Sequence, residues 1–179
     1  MTAGTRTTFR TFAYGSNMLS ARLRRRCPSA RPLGVAQLRG HELRWHKRST
    51  DGSGKCDVVP VNVNHSVFGV AYEIDASEST ALDQAEGLGH GYDRKDATVI
   101  LNGDVITLSV YFATNTDPAL KPYSWYKALV VAGAKEHGLP STYIASLEVV
   151  EASQDPDRMR HDRNMRIVST AGHVDGAQA

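Results

Sequence analysis

Two short segments of the chain hold residue types that are able to bind and transform a small polar ligand. The first is a glycine-containing stretch near the N-terminus, which follows a short predicted strand at residues 9–13. Its residues are Tyr14, Gly15, Ser16, Asn17, Met18 and Leu19. A glycine turn between a strand and a helix leaves backbone N–H groups unpaired, and such groups bind phosphates and carboxylates. The stretch lacks the glycine spacing of dinucleotide-binding and nucleotide triphosphate-binding loops, so it is interpreted as either a small anion-binding cradle or a structural turn.

The second segment centres on Glu86, which lies between the small residues Ala85 and Gly87 in the sequence LDQAEG. A positioned carboxylate transfers protons in many enzymes, and the glycines of the LGHGY run that follows allow a ligand to approach the backbone closely. A glutamate at the end of a helix is usually solvated, although a negative charge there is slightly unfavourable. Glu86 is therefore interpreted as a candidate acid or base, with a solvated surface residue as the alternative.

Other reactive residue types do not form a catalytic or metal-binding pattern. The seven histidines never occur as H-x-x-x-H or H-E-x-x-H, so we expect no bound metal and no cofactor. Ser16 lacks the second glycine of G-x-S-x-G, which disfavours a serine hydrolase. Cys27 and Cys56 are too few and too far apart for a disulfide framework, and they favour a reducing, cytoplasmic setting.

The densest charge cluster is basic and spans Arg22 to Arg26. With the basic residues between Arg44 and Arg48 it would make a patch for nucleic acid. The chain as a whole carries 21 Lys and Arg against 19 Asp and Glu, a formal charge of +2, and no aromatic residues interleave the arginines. We therefore expect a solvated helix face and no nucleic-acid partner.

The elements that position these residues are strands and short helices in mixed order. Strands are predicted at residues 9–13, 35–46, 57–74 with a turn at 64–66, 99–101 and 105–113. The last two are joined by Asn102-Gly103-Asp104, a strong hairpin signal. Helices are predicted from residue 18 to 27, from 75 to 86, from 124 to 137, and from 141 onward.

This inventory predicts an α+β fold with a mixed, curled, barrel-like β-sheet of five to seven strands and about four short α-helices. The length of 179 residues predicts one domain, at residues 9–152, between a flexible N-terminus, residues 1–8, and a flexible C-terminal tail, residues 153–179. No window approaches the roughly 20 apolar residues of a membrane span, so no membrane partner is expected.

Three motifs, in this order, resemble those of one protein family. They are FAYGSNM at residues 12–18, LDQAEG at residues 82–87 with Tyr92 shortly after, and YKALVVAGAKEHGLP at residues 126–140. Over about residues 9–147 the chain resembles the γ-glutamylcyclotransferases. Three ordered motifs at matching separations are much more specific than any one of them.

The resemblance implies an enzyme of glutathione metabolism that releases 5-oxoproline from γ-glutamyl amides, with a cavity rimmed by the glycine turn and the glutamate. By motif position, Tyr14 to Leu19 and Tyr92 would contact the γ-glutamyl group, Glu86 would transfer protons, and Tyr126 would border the pocket. Asn17 favours the branch of the family that acts on γ-glutamyl amino acids over the glutathione-specific branch. The resemblance also implies a homodimer.

Two further interpretations remain open at this point. The same reaction would also remove a γ-glutamyl protecting group from an intermediate of a biosynthetic pathway. Alternatively, the chain is a non-catalytic module that binds a ligand or nucleic acid, with the cluster from Arg22 to Arg26 as its contact surface. In the enzymatic interpretations the partner is a small γ-glutamyl compound, and its leaving amine is not specified by the sequence.

Overall fold

The computed structural model describes residues 7–171, which form seven strands and five α-helices. The strands are β1 (Thr8–Ala13), β2 (Arg31–Arg39), β3 (His41–Arg48), β4 (Gly54–Pro60), β5 (Ser66–Asp75), β6 (Tyr92–Leu101) and β7 (Asp104–Ala113). The helices are α1 (Ser20–Arg24), α2 (Ser79–Glu86), α3 (Ser124–Glu136), α4 (Ser141–Glu148) and α5 (Arg158–Ala171), with 3-10 turns at Ser16–Met18 and Ala76–Glu78. The flexible N-terminus predicted for residues 1–8 lies outside the described residues, apart from Thr7 and Thr8, and Thr8 begins β1.

Five strands close into a barrel in the order β1-β5-β2-β6-β7. Neighbours are antiparallel, except that β1 meets β7 in parallel at Thr11 and Ser109, which closes the barrel. The β6–β7 hairpin turns at Asn102 and Gly103, both with positive φ, as the sequence predicts. These findings confirm the predicted α+β fold with a mixed, barrel-like sheet.

The remaining strands, β3 and β4, form a separate two-stranded sheet. The prediction of one continuous strand at residues 35–46 is wrong, because the chain turns at Gly40 and β3 leaves the barrel. Apolar residues alternate in one phase at Ala36 and Leu38 and in the opposite phase at Leu43 and Trp45, so the alternation is interrupted at the Gly40 turn. The turn matters for function, since β3 and β4 carry polar residues to the site described below.

Helix α3 packs directly against the glycine turn that follows β1. Its buried face includes Tyr126, Leu129 and Gly133, spaced by three and four residues as in an amphipathic helix. A Cβ at Gly133 would lie 2.4 Å from the backbone nitrogen of Leu19, so only glycine permits this close contact. Helix α3 therefore fixes the position of the glycine turn by direct backbone contact.

The C-terminal segment differs from its prediction as a flexible tail from residue 153. Residues Arg158–Ala171 form α5, which packs against α3 and α1, and Ile167 is buried on its inner face. Asp155, just before the helix, accepts hydrogen bonds from Trp125 Nε1 at 2.7 Å and from Arg160. The domain therefore extends at least to Ala171. Within residues 7–171, no helix is long and apolar enough to cross a membrane.

Candidate active site

The glycine turn and the end of α2 meet at one side of the barrel. Strand β1 delivers the chain to the turn, and α2 ends at Glu86 because Gly87 adopts a left-handed conformation with φ of 70°. The side-chain Nδ2 of Asn17 donates a hydrogen bond of 2.7 Å to Glu86 Oε1, across 69 positions of sequence. The two segments singled out from the sequence are therefore in direct contact.

Arg26 completes this contact from the segment that follows α1. Its Nη1 lies 2.7 Å from Glu86 Oε1 and 3.0 Å from Asn17 Oδ1, and it donates to both. The Glu86 side chain is only 16% exposed, so the ion pair is partly shielded from water. No described residue donates to Oε2 of Glu86. One carboxylate oxygen is thus held in place while the other is available to a ligand.

The backbone amides of the turn are the second chemical feature of the site. None of the hydrogen bonds between residues 7 and 171 uses the N–H of Gly15, Ser16 or Asn17 as a donor. The side chains of Ser16 and Asn17 do not cap the turn in the described part of the chain, because Ser16 Oγ accepts from Arg22 Nε at 2.9 Å and Asn17 binds Glu86. The turn therefore presents unpaired donors to whatever occupies the site.

An inner cavity of about 50 Å³ lies between the turn and the barrel interior, and both Glu86 and the turn border it. Its wall is largely aromatic: Phe12, Tyr14, Tyr92, Tyr111 and Tyr126. This volume is that of one or two water molecules at about 30 Å³ each. A larger occupant would therefore extend outward past Glu86.

The tyrosines of this wall act as neutral groups. Burial raises the pKa of Tyr14, Tyr92 and Tyr126 well above the usual value for a phenol. Tyr14 donates to the Tyr111 carbonyl, Tyr92 donates to the Cys56 carbonyl at 2.6 Å, and Tyr126 accepts from the Cys56 amide at 3.1 Å. These bonds hold the three rings in place, so the tyrosine part of the cavity wall is uncharged.

Two residues predicted to contact a ligand do not line the cavity. The side chains of Met18 and Leu19 are fully buried in the core, and the carbonyl of Met18 accepts a hydrogen bond from Tyr72. Their role is to anchor the turn to the protein interior. Tyr14, Gly15, Ser16, Asn17, Glu86, Tyr92 and Tyr126 do line the cavity, and sequence reasoning missed Tyr111.

A second, more polar cavity of about 220 Å³ opens outside the first, and we call it the vestibule. Four residues border both spaces: Ser16, Glu86, Tyr92 and Tyr126. The charged residues of the vestibule are Arg22, Arg26, Lys47, Lys55, Asp51 and Glu86. Glu86 thus lies at the boundary between an aromatic pocket and a cationic entrance.

The vestibule overturns the prediction that the arginine cluster is a solvated helix face. Helix α1 ends at Arg24, and Arg22 and Arg26 both turn towards the site, whereas Arg24 and Arg25 are exposed. Arg22 is held by Ser16 and by Asn164 of α5, at 3.1 Å. Hence the C-terminal helix supports a residue of the site.

Neither cysteine is suited to act as a nucleophile. Both are buried and free of disulfides, and burial raises the pKa of the Cys56 thiol to about 12. Burial also raises the pKa of the Cys27 thiol, to about 11. Among residues 7–171, no three His, Cys, Asp or Glu side chains cluster as ligands for a metal ion.

The fold and site define an α+β barrel protein of the AIG2-like class, and the sequence model of the AIG2-like family matches residues 66–147. A human γ-glutamylcyclotransferase is 34% identical to the chain over 148 residues, which cover 78% of this chain and 77% of the relative. The chain belongs to the γ-glutamylcyclotransferase family and is an enzyme of that type.

Solved structures agree with this assignment. A γ-glutamyl cyclotransferase matches with a TM-score of 0.84 and 29% identity, over 92% of this chain and 99% of that one. The structure of an uncharacterized human protein matches with a TM-score of 0.79 and 29% identity, over 90% of this chain and 98% of the other. Both alignments include the barrel and nearly all of the remaining chain.

Proposed function

We propose that this enzyme cyclises the γ-glutamyl group of γ-glutamyl amino acids or amines, releasing 5-oxoproline and the free amine. The observation that carries the proposal is the convergence of Glu86 with three unpaired amides at one cavity. An intramolecular aminolysis needs a group that moves a proton and donors that stabilise an oxyanion, and no enzyme nucleophile. Glu86 would supply the group that moves the proton, and the glycine turn would supply the donors.

The first step is removal of a proton from the α-ammonium of the substrate. A protonated amine has no free electron pair, so it attacks only after a base has taken one proton. Glu86 is the base: Arg26 and Asn17 hold its Oε1, and its Oε2 receives the proton. The amine nitrogen then carries the lone pair that forms the new bond.

The second step closes the ring. The freed amine attacks the γ-carbonyl carbon, a C–N bond forms, and the carbonyl oxygen takes the negative charge. Because both reacting groups belong to one molecule, the enzyme mainly holds the folded conformer, for which effective molarity is large. The N–H groups of Gly15, Ser16 and Asn17 are the donors available to the oxyanion, and loss of one such donor typically costs about 3 kcal/mol.

In the last step the oxyanion reforms the carbonyl and the bond to the leaving nitrogen breaks. Glu86 returns its proton to that nitrogen, which departs as a neutral amine, and the carboxylate is regenerated. The carboxylate then takes the second proton from the positively charged ring nitrogen, which leaves the neutral lactam of 5-oxoproline, and passes that proton to the released amine, which becomes an ammonium ion. Because Glu86 lies at the boundary between the two cavities, it is able to take a proton from the α-ammonium on one side and return it to the leaving nitrogen on the other. The γ-glutamyl group is larger than the inner cavity, so it extends from the glycine turn outward past Glu86, and the leaving amine faces the vestibule.

The substrate range is tested by incubating the purified protein with γ-glutamyl amino acids, glutathione and γ-glutamyl polyamines, and assaying 5-oxoproline by mass spectrometry. We expect release from γ-glutamyl amino acids in preference to glutathione, since Asn17 follows Gly15-Ser16 in the turn. Release from a γ-glutamyl polyamine alone would point instead to deprotection of a biosynthetic intermediate. Absence of 5-oxoproline with every compound would contradict the proposal.

Three further properties stay predictions: a homodimer and a part in glutathione metabolism, which the family resemblance implies, and a cytoplasmic location, which the two cysteines favour. A homodimer is checked by light scattering of the protein as it elutes from a size-exclusion column. A cytoplasmic location and a part in glutathione metabolism are checked by cell fractionation, and by measuring γ-glutamyl compounds in cells that lack the protein. Each measurement is independent of the site geometry.

A further inference from the structure

The vestibule carries more positive charge than its own carboxylates balance. Arg26 pairs with Glu86, and Lys55 Nζ pairs with Asp51 Oδ2 at 2.8 Å. Within residues 7–171, neither Arg22 nor Lys47 has a carboxylate within ion-pair distance. Four cations therefore face two carboxylates, which leaves an excess of two positive charges in one recess.

The pairing of β3 with β4 brings two positive charges of the vestibule next to each other, which is unfavourable for folding. Lys47 of β3 lies directly opposite Lys55 of β4, on the same face of the sheet. Like charges directly opposite each other in a sheet are destabilising. Burial lowers the pKa of Lys47, whereas Glu86 and Asp51, neither of which is within ion-pair distance of its ammonium, act in the opposite direction. Local arrangements that oppose folding are typical of functional sites.

The Lys47 side chain is nevertheless held in a definite place. It lies across Gly91, and its Nζ is 4.8 Å from the centre of the Tyr92 ring, a distance suited to a cation–π interaction. Tyr92 borders both cavities, so the ammonium lies at the outer side of the wall that separates them. Arg22 occupies the same recess, where it donates only to the neutral groups of Ser16 and Asn164.

We propose that Lys47, together with Arg22, binds a carboxylate on the leaving amine and so determines which γ-glutamyl compounds are cyclised. This inference rests on the proposed function, in which the leaving nitrogen faces the vestibule beside Glu86. In an amino acid the carboxyl carbon is two bonds from that nitrogen, so its carboxylate enters the recess that holds the unpaired cations. A polyamine would bring further positive charge into the same recess and is disfavoured.

The test compares two substrates that match in size and differ in charge, γ-glutamylalanine and γ-glutamylalaninamide. We expect wild-type protein to prefer the acid in kcat/KM by about 10- to 100-fold, the range for a hydrogen bond to a charged group. In Lys47→Gln the ratio falls to within about threefold of one, because Gln is uncharged and its side chain, with two methylenes in place of four, does not reach the position of the ammonium. Lys47→Arg keeps the charge and retains most of the preference.

Lys95→Gln is the matched control, since it removes the same charge from an exposed position on β6 that borders neither cavity. Thermal melting of all variants verifies that they are folded. A Lys47→Gln variant that keeps the wild-type preference, or loses no more of it than Lys95→Gln does, would overturn the inference.

A binding measurement separates this inference from the proposed function. Calorimetric titration of Glu86→Gln with the acid and the amide measures the carboxylate contact without turnover. Tighter binding of the acid that disappears in the Glu86→Gln/Lys47→Gln double variant supports the inference, even if the wild-type protein releases no 5-oxoproline. Equal affinity for the two compounds overturns it, whether or not 5-oxoproline is formed.

Discussion

Glu86 and Asn17 are joined by a hydrogen bond of 2.7 Å between Oε1 and Nδ2, although 69 positions separate them in the chain. Arg26 donates to both side chains from a third segment. The proposed proton-transferring group and the proposed oxyanion-binding turn are therefore held together by direct hydrogen bonds. Movement of the turn relative to the carboxylate would require breaking a charge-assisted contact, which is among the stronger hydrogen bonds in proteins.

Arg26 is predicted to position Glu86. Arg26→Gln should lower kcat for 5-oxoproline release by about 10- to 100-fold with a smaller change in KM, since a hydrogen bond to a charged group is lost. Arg26→Lys should restore part of the activity, because an ammonium keeps the charge without the planar geometry of the guanidinium. Steady-state kinetics on γ-glutamylalanine measures both effects.

Arg25→Gln is the control for this prediction, because Arg25 is the exposed neighbour and lies outside the vestibule. It removes the same charge from the same stretch of chain. Equal rates in Arg25→Gln and Arg26→Gln would show that the ion pair with Glu86 has no part in turnover.

The helix α5 is predicted to contribute to the stability of the domain. Ile167→Ala should lower the free energy of unfolding by about 2 to 4 kcal/mol, as for other buried aliphatic side chains. Met159→Ala in the same helix should change it by less than about 0.5 kcal/mol, because the Met159 side chain is 83% exposed. Urea denaturation followed by circular dichroism measures both, and equal effects would mean that α5 is not packed as described.

The ionisation of Asp51 is predicted to make the free energy of unfolding depend on pH in the acid range. Burial alone would raise the pKa of Asp51, but hydrogen bonds from Lys55 and Ser53 outweigh it and lower the pKa from 3.8 to about 2. A folded-state pKa below the unfolded value gives stability that is complete above the unfolded pKa and is lost as pH falls through the folded one. The stability difference between wild type and Asp51→Asn should therefore shrink between about pH 5 and about pH 2.

Urea midpoints of the two proteins across this range give the measurement. Asp96→Asn, at an exposed position of β6, is the control and should differ from wild type by a constant amount. A difference for Asp51→Asn that stays constant with pH would contradict the ion pair with Lys55.

Several elements of the barrel and of the site follow from local sequence signals. The Asn102-Gly103 hairpin, the periodic face of α3 and the glycine turn each have a short-range cause, and all three are present. The family resemblance predicts that the turn and Glu86 border one cavity, but it does not predict the direct hydrogen bond between Asn17 and Glu86, and no local pattern links residues so far apart.

The charged half of the site was not foreseen. A run of arginines is usually solvated, and nothing in the spacing of Arg22 and Arg26 shows that α1 stops at Arg24. Lys47 and Lys55 come together only through the register of β3 with β4, which depends on a change of sheet at Gly40. Helix α5 was missed because only Asn164 and Ile167 are buried in it, too few to give a clear apolar period.

The central claim is that Glu86 moves the proton that drives ring closure. The most direct measurement is 5-oxoproline release from γ-glutamylalanine by wild type, Glu86→Gln and the control Glu151→Gln, whose side chain is 77% exposed. The account predicts that Glu86→Gln keeps the wild-type melting temperature and loses at least about 100-fold in kcat, as is usual when a general acid–base group is removed. Wild-type turnover by a folded Glu86→Gln protein would contradict it.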